Sequence, residues 1–319
     1  MGIIITTFGL TMPLLLMALL GMVLERKGLM TENFCAAANK LCFYVLLPCL
    51  IFKTIVQGEA TISSAGQLIL FISVAIVIVT FFAIILGHLL GKTGERKGAI
   101  THVIFRTNVV IFGIYIAEKA YGDTGGMYIA IMSVCTTIIY NFFSVLILSY
   151  YDSDSAKELS VISQFKELCV RVITNPPIIA VCLALAVKAA GFTLPVIVFS
   201  VIEDLAETAV PLSLLIMGAS LKVNGIKKDA ALLCLLTVIK LVIFPAAVII
   251  PAVLAGFRDA QLLATICVFA TPTAISCYPL SQELHSDHEL TNKMIFITTI
   301  VSCATIAVII SALRYLEFM

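Results

Sequence analysis

Long apolar stretches, separated by short polar or charged turns, recur from one end of this chain to the other. Ten of them can be delimited by charges and by Gly or Pro, at about 3–24, 34–56, 66–90, 99–119, 126–150, 171–190, 194–221, 230–255, 258–281 and 292–314. A helix that crosses a bilayer needs ~20 predominantly apolar residues, so each stretch predicts one span and the whole predicts an all-α polytopic membrane protein of ten transmembrane helices. The third (Leu68 to Leu86), the fifth (Met127 to Leu148) and the tenth (Met294 to Leu313) contain no charged residue. The fourth, seventh and ninth hold polar or charged groups at membrane depth, where such groups are costly and tend to mark function.

The pattern also repeats. A shift of about 163 residues lays Gly28 on Gly191 and Pro48 of "LLPCLIF" near Pro211 of "AVPLSLL". It also lays "FRTNVVIFGIY" (Phe105 to Tyr115) over "FATPTAISCYP" (Phe269 to Pro279), matching Thr107-Asn108 to Thr271-Pro272. The chain therefore divides into a first repeat at 1–150, a linker at 151–170 and a second repeat at 171–319. With five spans in each half, the second must be inverted relative to the first, an arrangement in which secondary transporters hold substrate near the midplane on interrupted helices.

Composition supports lipid as the solvent: 61% of the 319 residues are hydrophobic and only 12% charged. The net charge of +1, without a basic arm or aromatic stacking pattern, gives no footprint for nucleic acid. Basic residues instead sort by loop. Odd-numbered loops hold Arg26, Lys27, Lys92, Arg96, Lys97, Lys157, Lys166, Arg171, Lys222, Lys227, Lys228 and Lys293, whereas even-numbered loops hold little beyond Lys53, Lys119, Lys188 and Arg258. By the positive-inside bias the odd loops and the linker from Tyr151 to Glu167 are expected in the cytoplasm and both termini outside. The first stretch lacks a basic start and is too long for a signal peptide, so it reads as a retained span. The ten cysteines lack the paired spacing of a metal or disulfide framework. Even Cys35, Cys42 and Cys49, seven residues apart, read as packing.

Four prolines, Pro48, Pro211, Pro272 and Pro279, lie inside spans, where each removes a donor and frees a carbonyl. The first two read as helix breaks of the second and seventh spans. In the fourth and ninth spans Gly and Pro cluster with hydroxyls and an amide at corresponding positions, so two broken helices that cross there would aim their half-helix ends at one point. Arg106, beside Thr107-Asn108, either meets a substrate carboxylate or reaches the surface and a structural partner. Glu207, inside an otherwise apolar stretch, is a candidate for proton or ion coupling, with Lys240 and Lys53 as the available bases. His88 and His102 read as surface or packing residues. Enzyme readings find little: "GASL" (Gly218 to Leu221) lacks the second glycine of a protease serine motif, and there is no metal motif and no nucleotide-binding loop. No cofactor is implied.

"LLPCLIF", "NPPIIA" (Asn175 to Ala180), "PLSLLIMGASL" (Pro211 to Leu221) and "TPTAISCYPLSQEL" (Thr271 to Leu284) together resemble the auxin efflux carrier family in its short bacterial form, over nearly the whole chain. The resemblance implies transport of small organic anions such as auxin, malate or malonate across the cell (inner) membrane. It also implies a fold like that of bile acid:sodium symporters, with a scaffold of the first, second, sixth and seventh helices. Carried over, it places the crossing at Asn108 through Gly113 and Thr271 through Pro279, which include the substrate-binding candidates Thr273 and Ser276; Arg106 and Thr107 are added to them by the reading of the residues themselves. Asn108 stands where the second half has Pro272, so the first break is expected to be shallow or to rest on Gly113. A proton or sodium ion, lipid and a second copy in a homodimer are the partners compatible with this reading.

Overall fold

The computed structural model describes residues 2–58, 62–151, 170, 174–221 and 226–319, with the side chains of 2–5 and 62–64 left aside. The linker expected at 151–170 therefore lies almost wholly outside the described residues, as do Lys157, Lys166, Arg171 and Lys222. The described chain is helical: α1 (Gly2–Arg26), α2 (Glu32–Gln57), α3 (Ile62–Leu90), α4 (Gly94–Phe105), α5 (Val109–Tyr151), α6 (Pro176–Ala189), α7 (Val196–Ser220), α8 (Ile226–Leu254), α9 (Asp259–Ala270), α10 (Cys277–Glu283) and α11 (His288–Tyr315). Six of these, α1, α2, α3, α5, α8 and α11, are long and apolar enough to cross a membrane, while α6 and α9 are shorter apolar helices.

The expected fourth span divides differently from the sequence reading. Helix α4 stops at Phe105, and helix resumes at Val109 and runs on to Tyr151, bent where Tyr121 and Gly122 leave helical geometry. Gly122 has φ 63°, a left-handed backbone that glycine adopts without a Cβ clash. The prolines also act differently from the expected breaks. Pro211 lies within α7, which continues unbroken. Pro48 follows a π-turn at Cys42–Leu46, and Pro245 follows another at Ile239–Ile243. In both, the residue before the proline bonds five residues back, Leu47 N–H to Cys42 O and Phe244 N–H to Ile239 O. A proline lacks the donor and crowds the carbonyl four residues behind it, so widening one turn accommodates the ring without ending the helix.

Polar side chains sort the connections to two ends. At one end, Arg96 before the body of α4 pairs with Asp229 at the start of α8 and approaches Asp287 before α11 at 3.9 Å, and Lys293 meets Asp229 at 2.9 Å. The Ser286 hydroxyl adds a bond to Glu95 O at 2.8 Å. At the opposite end, the Lys188 ammonium donates to Ile55 O (3.1 Å) and to Gly58 O, joining the ends of α6 and α2, and Lys53 faces Glu203 of α7 at 3.8 Å. The Asp259 N–H donates to Phe318 O at 3.3 Å, bringing α9 to the C-terminus. These pairs gather the connections that they join into two groups.

Helix α1 lies against α7 and α11. Its contact with α7 is backbone to backbone: a Cβ on Gly218 would sit 1.8 Å from Ala18 O, and one on Gly21 would sit 2.1 Å from Leu215 O. Small residues allow this approach, and in lipid such close packing takes the place of a hydrophobic driving force. We therefore expect Gly218→Ala to destabilise the protein by ~2 kcal/mol or more, because the methyl meets backbone that cannot turn aside. Gly9→Ala, where a Cβ meets nothing within 4 Å, should be neutral or gain up to ~1 kcal/mol from helix propensity. Thermal unfolding of the two variants checks this, and equal midpoints would contradict the close contact.

Candidate functional site

Two interrupted helices meet inside the protein. Helix α4 gives way to extended backbone at Arg106 (φ −85°, ψ 122°), Asn108 follows at φ −91°, ψ 66°, and α5 then opens on a π-turn at Val109–Gly113. Helix α9 ends at Thr271 (φ −71°, ψ 157°), and α10 begins only at Cys277. Across the gap Thr107 and Thr273 form an antiparallel bridge, and the Asn108 N–H donates to Pro272 O at 2.8 Å. The threonine hydroxyls act reciprocally: Thr107 donates to Val268 O (2.6 Å) in the last turn of α9, and Thr273 donates to Val103 O (3.0 Å) in the last turn of α4. Each break therefore covers a carbonyl that the other leaves open. This pairing matches Thr107 with Thr273, two residues on from the Thr271 that the repeat offset suggests.

The remaining carbonyls of α4 receive a charge. Lys240, in the π-turn of α8 and 1% exposed, donates to Ile104 O and Arg106 O, each at 3.0 Å. A cation at the C-terminal end of a helix offsets the negative end of its dipole. Thr271 bonds back to Cys267 O (2.8 Å), and the Thr273 N–H reaches the Thr298 hydroxyl of α11 (3.1 Å). The Tyr140 hydroxyl of α5 lies 2.8 Å from that of Thr107 and holds it from the other side.

Beside the crossing lies a cavity of about 410 Å3. One wall is Arg106 through Ile111, with Ala274 through Ser276 and Pro279. The facing wall carries Asn39 and Cys42 of α2, Asn175 before α6 and Ser213 of α7, while Tyr140 and Asn141 enter from α5. No Asp or Glu is among the described lining residues. Arg106 donates to the Ser144 hydroxyl at 3.0 Å, and no carboxylate pairs with it among the described residues. The Asn108 side chain is 7% exposed, and its Nδ2 is buried without an acceptor. A buried amide donor left open costs roughly 1–3 kcal/mol. The start of α5 also faces the cavity, whereas the carbonyl end of α4 is already neutralised by Lys240. Arg106 and Asn108 bring a positive charge and an open donor to the pocket, whose lining also includes Asn175 with a buried, unpartnered Oδ1.

Of the residues singled out in the sequence, Arg106, Thr107, Asn108, Ser276 and Pro279 line this cavity. Thr271, Pro272 and Thr273 are buried behind it in the crossing. Gly113 lies in the π-turn, where a Cβ would meet Ile129 Cγ2 at 3.0 Å, so it serves packing against α5. The first break rests on Arg106 through Asn108, and is neither shallow nor centred on Gly113. Glu207, expected within an apolar environment, is exposed on α7 and away from the cavity. Of its two suggested bases, Lys53 faces Glu203 and Lys240 covers carbonyls. His102 is fully buried in α4 with neither ring nitrogen bonded, so of its two readings the surface one is set aside. Asn39, Asn141 and Asn175 went unnoticed as candidates. Their signal was an amide within or at the edge of an apolar run, but only packing brings the three together.

Lys240 is the support on which the α4 break depends. In Lys240→Met the carbonyls of Ile104 and Arg106 lose their donor at nearly unchanged volume, which should lower stability by ~3 kcal/mol. Buried Cys267, Cys277 and Cys303 make reaction with a thiol-sensitive dye on heating a direct measure. An unfolding midpoint equal to that of the parent protein would remove Lys240 from this role.

Over 299 residues the chain is 21% identical to an uncharacterized transporter of Methanothermobacter thermautotrophicus, covering 92% of this chain and 94% of that protein. Over 309 residues it is 23% identical to a putative malonate transporter of Rhizobium meliloti, covering 96% and 95%. The family described as membrane transport protein matches residues 6–310. The chain accordingly belongs to this membrane transport protein family, the auxin efflux carrier family that its motifs resemble, and it is a membrane transporter rather than an enzyme.

Proposed function

We propose that this protein is a secondary active transporter of a small organic anion, a carboxylate or dicarboxylate, bound at the crossing of the two broken helices. The observation that carries the reading is the unpartnered Asn108 amide donor beside an Arg106 that no carboxylate neutralises among the described residues, at a cavity with no acidic residue in its described lining. A carboxylate that leaves water must recover its hydrogen bonds. The Asn108 amide, the Arg106 guanidinium and the first N–H groups of α5 supply them, with Ser276 at the rim. The relative named for malonate agrees in substrate class.

The reciprocal threonine bonds support two inverted halves of five spans, at 1–150 and 171–319, related by an axis in the membrane plane. In that arrangement α1, α2, α6 and α7 form a scaffold, and the crossing moves against it as an elevator or by rocking. Alternating access follows because the cavity lies between the two groups. The driving ion is a proton or sodium, and dependence of uptake on a sodium gradient in proteoliposomes separates them.

A thermal-shift screen of carboxylates, with malonate as the first probe, should identify a stabilising ligand. Arg106→Gln and Asn108→Ala should each weaken its binding roughly tenfold or more, as expected for a lost bond to a charged group, and Asn108→Ala should leave the unfolding midpoint of the empty protein almost unchanged. Unaltered affinity in both variants would return the pair to helix packing.

The loop charges orient the molecule with the Arg96, Asp229 and Lys293 cluster and the 151–170 linker in the cytoplasm and both termini outside. Single cysteines placed in a cysteine-free background, at linker position 157 and at Phe318, should label from inside and outside respectively with an impermeant reagent. The reverse pattern would overturn the orientation.

A further inference from the structure

A second cavity, larger than the one at the crossing, lies away from it. It is a groove of about 790 Å3 between α3 and α8. Its floor is Ala75 and Val79 of α3 with Phe244 and Val248 of α8, all 9% exposed or less. One bank is the row Leu70, Val74, Ile78 and Phe82, spaced four apart and 50 to 68% exposed. The other bank comes from Ile243, Ala247 and Pro251 of α8. Phe71 and Phe257, with ring centroids 5.2 Å apart in an edge-on contact, close one end. Among the described residues every lining residue but Gln67 is apolar, and Gln67 stands at that same end.

The groove runs along α3 from Gln67 to Phe82, roughly 22 Å at 1.5 Å per residue, somewhat more than the ~15 Å hydrocarbon depth of one leaflet. A void left empty there would forfeit the dispersion contacts of its walls, and water finds no polar partner in it. At the Gln67 end stands the exposed Arg258. Its guanidinium is held by Val253 O (2.8 Å) and Phe257 O (2.7 Å) and lies over the Phe318 ring at 4.9 Å. Val253 and Phe257 bracket Ala255, which also lines the groove, so this cation sits at the mouth with donors to spare.

We propose that this groove is a binding site for one membrane phospholipid, an acyl chain lying between α3 and α8 and the phosphate at Arg258. The site depends on the chain's place in a bilayer and not on the substrate assigned to the crossing. It differs from the ordinary lipid boundary in being a channel with a floor, two banks and a fixed cation at one end.

The chain contains no Trp, so an introduced one is a unique fluorophore. Phe82 lines the groove; its neighbour Phe81, 61% exposed and at the same depth, does not. In phosphatidylcholine vesicles holding increasing fractions of a phospholipid brominated along its acyl chain, Phe82→Trp should reach half-maximal quenching at a several-fold lower bromolipid fraction than Phe81→Trp. Val248→Phe, which fills the floor, should erase the difference. With brominated phosphatidylglycerol the groove should fill at a still lower fraction, and Arg258→Gln should remove that preference. Native mass spectrometry of the unaltered protein should show one retained phospholipid, lost in Val248→Phe. Equal quenching at the two positions means boundary lipid only, and a groove Trp shielded from all bromolipid means a second copy covers it; either result overturns the proposal.

Discussion

Inside a bilayer a backbone N–H or C=O that lacks a protein partner has no water to turn to, and each one left open costs several kcal/mol. The centre of this molecule is an answer to that constraint. Interrupting α4 and α9 opens carbonyls at two helix ends, and the two interruptions satisfy one another through Thr107, Thr273 and the Asn108 N–H, with Lys240 covering Ile104 O and Arg106 O. Neither break is stable without the other. The pairing therefore fixes where α5 and α10 restart, and with them the wall of the cavity.

The same reasoning separates structural from unsatisfied polar groups. Thr271 and Tyr140 are polar and buried, yet each has a partner and so supports the crossing. The Asn108 amide is also buried but unpartnered, in a residue that lines the cavity. Arg106 spends one bond on Ser144 and has no counter-charge among the described residues. A site that binds a ligand reversibly must leave some of its donors incomplete when empty, and here the incomplete ones lie together.

Elsewhere the helices accommodate awkward residues without breaking. The π-turns before Pro48 and Pro245 widen α2 and α8 by one residue. In α8 this turn also carries Lys240, so the device that absorbs a proline helps to place the cation under the α4 end. Along α1 and α7, glycines at 21 and 218 allow the two helices to pack backbone to backbone.

Much was determined by the sequence alone. The all-helical membrane class followed from the length of the apolar runs, and the polar segments of the fourth and ninth spans from groups too costly to leave in lipid without a purpose. Those inferences are local or additive, and need no knowledge of neighbours. Tertiary structure decided the rest. Pro211 proved continuous with its helix, Glu207 exposed and Lys240 a carbonyl cap, because whether a proline breaks a helix or a charge is buried depends on what the facing helix presents. The two-residue change in register, Thr107 with Thr273, arose because hydrogen bonds across the crossing pair backbones running in opposite directions, a relation that a parallel comparison of the halves does not contain. The gathering of Asn39, Asn141 and Asn175 around Asn108 has the same origin, since residues so far apart in the chain meet only when the helices pack.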